Sequence, residues 1–132
     1  KKKKKLKFDE IHSLRRSNKE RIQKALESID GVRVVNERPD AETSWFGVPT
    51  VCEDNNLKRS LVAYLEKNKI QTRNYFAGNI LLHPGYRDLG KASDYPNANQ
   101  VLDKVFFLGC SPTINEKMLQ YIEKVIGNYV SN

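Results

Sequence analysis

The order of helical and strand-like segments is the sequence feature that most constrains the fold. Apolar residues recur at helical spacing over residues 8–28, and Asp30-Gly31 then predicts the end of a long first helix. The rest of the chain predicts strands at 32–35 and 44–52, a helix at 57–68, a strand at 70–76, a long irregular loop at 77–95, a helix at 96–104, a strand at 106–111 and a last helix opened by a capping box at 113–116. Two strands in succession among helices predict an α+β domain with a small, mostly antiparallel sheet and helices packed on it.

Two details of this pattern carry further expectations. Pro49 lies inside the second strand, and because proline cannot donate a hydrogen bond to a neighbouring strand, it predicts an edge strand or a bulge. The first helix has a polar interruption at residues 15–21, so its apolar face is expected to be weak in the middle.

Length and charge indicate one globular domain with a basic tail. The 132 residues carry a net charge of +7, but without Lys1 to Lys5 there are 18 basic and 16 acidic residues. We therefore predict a lysine tail at residues 1–5 and a single domain at residues 6–132. Such a tail can bind nucleic acid or anionic lipid, or can simply be solvated. The body shows no interleaved basic and aromatic pattern, which argues against a nucleic-acid partner.

The two cysteines and the apolar runs bear on location. Cys52 and Cys110 are far apart, match no metal or redox spacing, and each lies in a predicted strand with apolar neighbours. They predict buried free thiols in a reducing cytoplasm. No apolar run is long enough to predict a membrane span, and none follows the lysines as a signal peptide would.

The segment 69–79 is the richest in candidate chemistry. Arg73 lies in the middle of a β-type run that breaks at Gly78, so it can present a guanidinium to a carboxylate or phosphate at the end of a strand. The alternative is a surface arginine paired with an acidic residue. Asn79 can contact a sugar or phosphate oxygen or merely form a turn, and Phe76 can pack on a sugar or base or belong to the core.

The same segment resembles a known family. With Ser44-Trp45-Phe46-Gly47 upstream, the run from Lys69 to Asn79 is similar to the C-terminal small domain of the DegT/DnrJ/EryC1/StrS sugar aminotransferase family, and most similar to its CDP-4-keto-6-deoxyglucose-3-dehydrase branch. The resemblance extends over residues 8–130 and implies the small domain of a fold-type I enzyme dependent on pyridoxal phosphate. Leu81-Leu82-His83-Pro84-Gly85-Tyr86 loosely resembles a segment at the active-site mouth of these enzymes, which adds His83 to the candidates.

The resemblance also implies what the complete enzyme does. It would remove the C3 hydroxyl of CDP-4-keto-6-deoxyglucose, or transfer nitrogen in a sister aminotransferase, during surface polysaccharide synthesis. Pyridoxal or pyridoxamine phosphate would bind in a large domain that this chain lacks, so we predict no cofactor or catalytic residue in the chain itself, no metal, and dimerisation of the full enzyme. Arg73, Phe76, Asn79 and His83 are the predicted substrate-binding residues. A stand-alone binding module with the same fold is the competing hypothesis.

Overall fold

Four antiparallel strands and four α-helices make up the part of the chain that the computed structural model describes, residues 2–131. In chain order they are α1 (Lys2–Leu26), β1 (Val32–Val34), β2 (Gly47–Cys52), α2 (Asn55–Lys67), β3 (Thr72–Asn74), α3 (Pro96–Lys104), β4 (Val105–Gly109) and α4 (Glu116–Val130). The predicted α+β class is confirmed, and every predicted helix and strand is present, α3 with the predicted ends and the others with shifted ends.

The sheet has the order β1-β2-β4-β3, and each neighbouring pair is antiparallel. Side chains alternate between the two faces of a strand, and directly paired residues share a face. Phe106 and Leu108 of β4 belong to the core, so Phe107 points to the opposite face. Its partners Pro49 in β2 and Arg73 in β3 lie on that opposite face as well.

Helices cover only the first of these two faces. The core packs α1, α2 and α4 against the sheet through apolar residues, namely Ile22 and Leu26 of α1, Leu61 and Leu65 of α2, Leu119, Ile122, Val125 and Ile126 of α4, and Val48, Cys52, Phe106 and Leu108 of the strands. On the other side, Phe46 and Phe76 are 67% and 70% exposed. We call this side, which carries Pro49, Arg73 and Phe107, the open face.

Pro49 occupies a central strand, and the prediction of an edge or a bulge is wrong. β2 lies between β1 and β4, yet the pairing with each neighbour loses few backbone hydrogen bonds. Toward β1, the Pro49 carbonyl accepts from Val35 N–H at 2.9 Å. Val35 follows the last residue of β1, so the N–H that proline lacks would have been needed only beyond the end of β1. Toward β4, Pro49 faces Phe107 in a pair that exchanges no backbone hydrogen bonds, because bonded and non-bonded pairs alternate in an antiparallel ladder. The register makes proline tolerable.

The loop between β3 and α3 is more regular than predicted. It contains three short 3-10 segments, at Ile80–Leu82, Pro84–Leu89 and Ala92–Asp94. Several large apolar side chains of the loop stay exposed, including Leu82 and Leu89.

Helix α1 extends back into the N-terminal lysines. Helix α1 begins at Lys2, six residues before the predicted start, whereas Lys1 and the side chains of residues 2–6 lie outside the described residues. The predicted division into a tail and a domain stays a prediction. Within residues 2–131, no helix combines the length and the apolar character that crossing a bilayer requires.

Candidate functional site

The site is built on Gly47, where the chain enters β2. A methyl group at this position would lie 2.6 Å from Cδ2 of Phe107 and 2.8 Å from the carbonyl oxygen of Leu108. A residue with a side chain at this position would therefore clash with the Phe107 ring and the Leu108 backbone. The ring also contacts Phe46, with 5.7 Å between the ring centroids. The two phenylalanines form an aromatic floor on the open face.

Arg16 of α1 holds the segment before Gly47 in place. Arg16 binds both carboxylate oxygens of Glu37, at 2.6 and 2.9 Å, and donates to the Thr43 carbonyl at 3.2 Å. Glu37 in turn accepts from the Thr43 N–H at 2.7 Å. These hydrogen bonds, from Arg16 above all, lower the pKa of Glu37 to about 2. The paired charges hold the connection between β1 and β2 against α1.

Trp45 is the second anchor of this segment. Its carbonyl oxygen accepts from Arg15 Nη1 at 2.9 Å and from Cys110 Sγ at 3.3 Å. Its ring carries the Lys19 ammonium 4.7 Å from the ring centroid, a cation–π contact. Burial lowers the pKa of Lys19, whose ammonium also donates to Asn36 at 3.0 Å. The Ser-Trp-Phe-Gly run thus positions both an arginine and an aromatic ring.

Two arginines line one groove at this end of the sheet. The groove has a volume of about 310 Å³ and is lined by Arg15, Phe46, Gln71, Arg73, Phe107, Gly109 and Ser111. We call it the two-arginine groove. No aspartate or glutamate is among these described lining residues. Within residues 7–131, Arg73 has no hydrogen-bond or ion-pair partner for its side chain, and Arg15 has only the Trp45 carbonyl. The groove therefore carries two positive charges without a neutralising carboxylate.

A second hollow of about 300 Å³ continues along the open face. It lies between the segment 43–47 and the residues after β3, where Tyr75 and Phe76 pack beside Phe107. The ring centroid of Phe76 is 5.2 Å from that of Tyr75 and 6.0 Å from that of Phe107. Phe76 has φ 51°, which is uncommon for a bulky residue. Its N–H donates to the Asn74 carbonyl at 2.8 Å, so a tight turn holds the ring out on the open face.

The side chain of Asn79 makes hydrogen bonds within the loop after β3, including one of the turn-forming kind that its sequence allowed. It is 2% exposed. Its amide nitrogen donates to the Ala92 carbonyl at 3.0 Å and to Asn99 Oδ1 at 2.8 Å, and its Oδ1 accepts from Leu81 N–H at 3.0 Å. Both amide hydrogens are therefore engaged in holding the loop against α3. Any effect of Asn79 on a substrate would pass through the shape of this loop.

His83 lies at the junction of the first two 3-10 segments. Its side chain is exposed, with Nε2 3.3 Å from the Ala77 carbonyl oxygen. The structure thus brings Arg73 and Phe76 to adjacent hollows of the open face, whereas neither Asn79 nor His83 is among the described residues that line them. The substrate-binding roles of the four residues stay predictions.

Arg15, Phe46 and Phe107 complete the groove, and sequence reasoning did not select them. They are far apart in the sequence, and only the register of β2 with β4 and the packing of α1 bring them together. The polar interruption of α1 was the available signal, because its long polar side chains Arg15, Arg16 and Lys19 each bind another segment of the chain. An apolar helix face would have had no reason to break there.

The groove does not fit pyridoxal phosphate as a whole. That cofactor needs a group to engage its aldehyde or amine carbon, a partner for its ring nitrogen and donors for its phosphate. The two guanidinium groups can hold a phosphate. The lining residues supply neither a lysine nor a carboxylate, so we assign no step of the cofactor's chemistry to this groove.

Comparisons with known proteins give the fold and the lineage. The chain is 32% identical over 129 residues to a dTDP-4-dehydro-2,6-dideoxy-D-glucose 3-dehydratase of Saccharopolyspora spinosa, covering 95% of the chain but 28% of that protein. It is 29% identical over 122 residues to the lipopolysaccharide biosynthesis protein RfbH of Salmonella typhimurium, covering 86% of the chain and 27% of that protein. The chain thus spans less than a third of the length of these curated relatives.

Solved structures show the same fold. DesV of S. venezuelae, solved with a ketimine intermediate, superimposes with a TM-score of 0.82 at 16% identity, over 94% of this chain and 33% of that one. The GDP-4-keto-6-deoxy-D-mannose-3-dehydratase of E. coli, solved with hydrated PLP, gives 0.74 at 21% identity, over 92% and 32%. The sequence model of one family matches residues 3–126, nearly the whole chain, and this chain therefore belongs to the DegT/DnrJ/EryC1/StrS aminotransferase family.

Proposed function

We propose that this chain forms one wall of the substrate site in an enzyme dependent on pyridoxal or pyridoxamine phosphate that removes the C3 hydroxyl of CDP-4-keto-6-deoxyglucose or a closely similar nucleotide sugar. The observation that carries the proposal is the two-arginine groove on an aromatic floor. Guanidinium groups suit phosphate oxygens, and exposed aromatic rings suit the apolar face of a sugar or a base.

The open face supports a role as a wall. Its aromatic residues Phe46 and Phe76 would be shielded from water if another domain or a substrate lay against them. Phe76 is held at a positive φ, and backbone strain of this kind clusters at functional sites. We propose that Arg73 binds the substrate's anion, Phe76 packs on its sugar, and Asn79 and His83 shape the loop beside them. These are binding and positioning roles.

Dehydration is preferred to transamination because the relative with 32% identity is named for dehydration, and surface polysaccharide synthesis is preferred because of the name of the other relative. One is named a 3-dehydratase, and the other is named for lipopolysaccharide biosynthesis. DesV has a lower identity and supports the fold alone. The complete enzyme is proposed to be a dimer that carries its cofactor in a large domain outside this chain. We place it in the cytoplasm, where the buried free thiols of Cys52 and Cys110 would stay reduced.

Reconstitution tests this proposal. The chain is mixed with a separately expressed large domain from a 3-dehydratase relative, pyridoxamine phosphate and CDP-4-keto-6-deoxyglucose, and loss of water from the sugar is followed by mass spectrometry. We expect turnover only in the mixture. Arg73→Gln should raise KM by about tenfold, since it removes a charged hydrogen bond, whereas Arg59→Gln, on the exposed side of α2, should not. Turnover by the lone chain would contradict the proposal in favour of a stand-alone module.

A further inference from the structure

Arg15 is the residue of the two-arginine groove to which the proposed function gives no role. It comes from α1, on the helical side of the sheet, and reaches the groove at the end of β4, beside Gly109 and Ser111. Its side chain is half-buried, and one of its N–H groups is held by the Trp45 carbonyl. A guanidinium has five N–H donors in a fixed fork. The Trp45 bond therefore orients the group and leaves most of its donors for another partner.

Other arginines of the chain show what Arg15 lacks. Arg16 is paired with Glu37, and Arg21 binds Glu116 and Glu123. Arg15 sits one position before Arg16 on the same helix, yet within residues 7–131 it has no carboxylate partner. A half-buried cation without a counter-charge is costly unless an anion is available. The arrangement is thus prepared for an anion that comes from outside the described chain.

Building on the proposed function, we propose that Arg15 and Arg73 together hold the diphosphate group of the nucleotide sugar, with Arg15 as the second half of a two-point anion site. One guanidinium can bind the oxygens of one phosphate in a bidentate way, so two arginines supply one such group for each phosphate of a diphosphate. Ser111 is less available for this purpose, since its hydroxyl is 2.8 Å from Thr113 Oγ1 and accepts from the Thr113 N–H at 3.2 Å. The arginines therefore supply the charge.

Inorganic pyrophosphate is the probe for this site, and calorimetric titration of the chain measures its affinity. We expect Arg15→Gln and Arg73→Gln each to weaken binding by about tenfold or more, because each removes charge-assisted hydrogen bonds. Arg33→Gln is the matched control, since Arg33 is exposed in β1, outside the groove, and should change affinity by less than about twofold. Orthophosphate should bind more weakly than pyrophosphate.

Gly109 provides a variant that leaves both arginines in place. A Cβ atom at this position would meet no atom within 4 Å, and Gly109 is exposed. Gly109→Glu should therefore fold and weaken pyrophosphate binding by placing a carboxylate in the groove, whereas Gly109→Ala should keep the affinity. Pyrophosphate should also protect Arg15 and Arg73, but not Arg33, from phenylglyoxal. This readout needs no substitution and stays valid if the loss of the Trp45 bond unfolds Arg15→Gln.

Three results would overturn the proposal: no pyrophosphate binding by the unsubstituted chain, wild-type affinity in folded Arg15→Gln, or equal losses in Arg15→Gln and Arg33→Gln. The first and third would show that the groove is not a specific anion site. The second would show that Arg15 does not bind the anion and serves only to hold the Trp45 carbonyl. These results are distinct from a failure of the proposed function, because the reconstituted enzyme could turn over substrate while the lone chain ignores pyrophosphate, and the reverse could also occur.

Discussion

The ring of Phe107 packs directly against Gly47. A methyl group added to this glycine would lie 2.6 Å from the edge of the ring and would clash with it. The same methyl group would also lie 2.8 Å from the carbonyl oxygen of Leu108, so a shift of the ring alone would not make room for it. Gly47 is also buried at the start of a central strand. The aromatic floor of the groove thus depends on the absence of a side chain opposite it.

Gly47→Ala should therefore destabilise the domain by about 1–3 kcal/mol, the usual cost of overpacking a filled site. Urea denaturation followed by circular dichroism measures the loss. The matched control is Gly109→Ala, since Gly109 is the direct strand partner of Gly47 and has nothing within 4 Å of the new methyl group. Equal stability of the two variants would show that Phe107 moves aside freely.

The stability of the loop after β3 should depend on the Asn79 side chain. Asn79→Ala removes three hydrogen bonds from a buried amide, so we expect a loss of about 1–3 kcal/mol and faster amide hydrogen exchange at residues 80–95. Asn97→Ala is the control, because Asn97 is exposed on α3. Unchanged hydrogen exchange at residues 80–95 in Asn79→Ala would show that contacts other than those of Asn79 hold the loop in place.

Much of the fold could be predicted from the sequence because its segments follow their own local rules. Helix α4 illustrates this, since apolar residues at helical spacing predict it. The predicted capping box at 113–116 is wrong, however, because Asn115 and not Thr113 caps the helix by accepting from the Met118 N–H, and Glu116 is the first helical residue. Pro49 could not be placed, because its tolerance depends on where β1 ends and not on anything near it in the sequence.

The site was harder to predict than the fold. Arg73 and Phe76 stood in one recognisable segment, and the structure places both on the open face. Asn79 stood in the same segment, but its burial depends on Asn99 and Ala92 across the loop. Arg15 reaches the groove only through the packing of α1 against the segment before β2. Contacts across such distances leave at most an indirect local pattern, which for Arg15 is the polar interruption of α1.

Stability should fall as the pH drops below the ordinary range of glutamate, and Glu37 should account for part of the fall. Its pKa in the folded protein is about 2, below its ordinary value of 4.5, owing chiefly to Arg16. The unfolded chain therefore binds more protons than the folded one between about pH 4.5 and pH 2, so the stabilisation is present above this window and lost through it. Chemical denaturation across this range should give a shallower fall for Glu37→Gln. An unchanged slope would contradict the assignment.

The two thiols should react slowly while the protein is folded. Cys52 and Cys110 are buried, and burial raises the pKa of Cys52 to about 11 and also raises that of Cys110. Since the thiolate is the reactive form, both should resist an aromatic disulfide reagent at pH 8. In urea, both should react at once. A fast phase in the folded protein would mean that one of the cysteines becomes exposed by local opening.

Each edge of the sheet is blocked by a glutamate from the preceding helix. Glu66 Oε1 accepts from both the N–H and, at 2.7 Å, the hydroxyl of Thr72 in β3, and these bonds lower the pKa of Glu66. Glu27 Oε1 likewise accepts from the Val34 N–H of β1 at 3.1 Å. A free edge donor is a template for pairing with another chain. The carboxylates occupy donors that a second sheet would need.

Removing both blocks should therefore promote association through strand pairing. We expect the double variant Glu27→Ala/Glu66→Ala to form larger species than the wild type at equal concentration, as measured by sedimentation velocity. Glu66→Gln with Glu27→Gln is the matched control, because an amide oxygen can still accept from Thr72 and Val34. Glu20→Ala, on the exposed side of α1, controls for the loss of negative charge. If the alanine and glutamine pairs associate to the same degree, the charge and not the blocked edge donor keeps the chains apart.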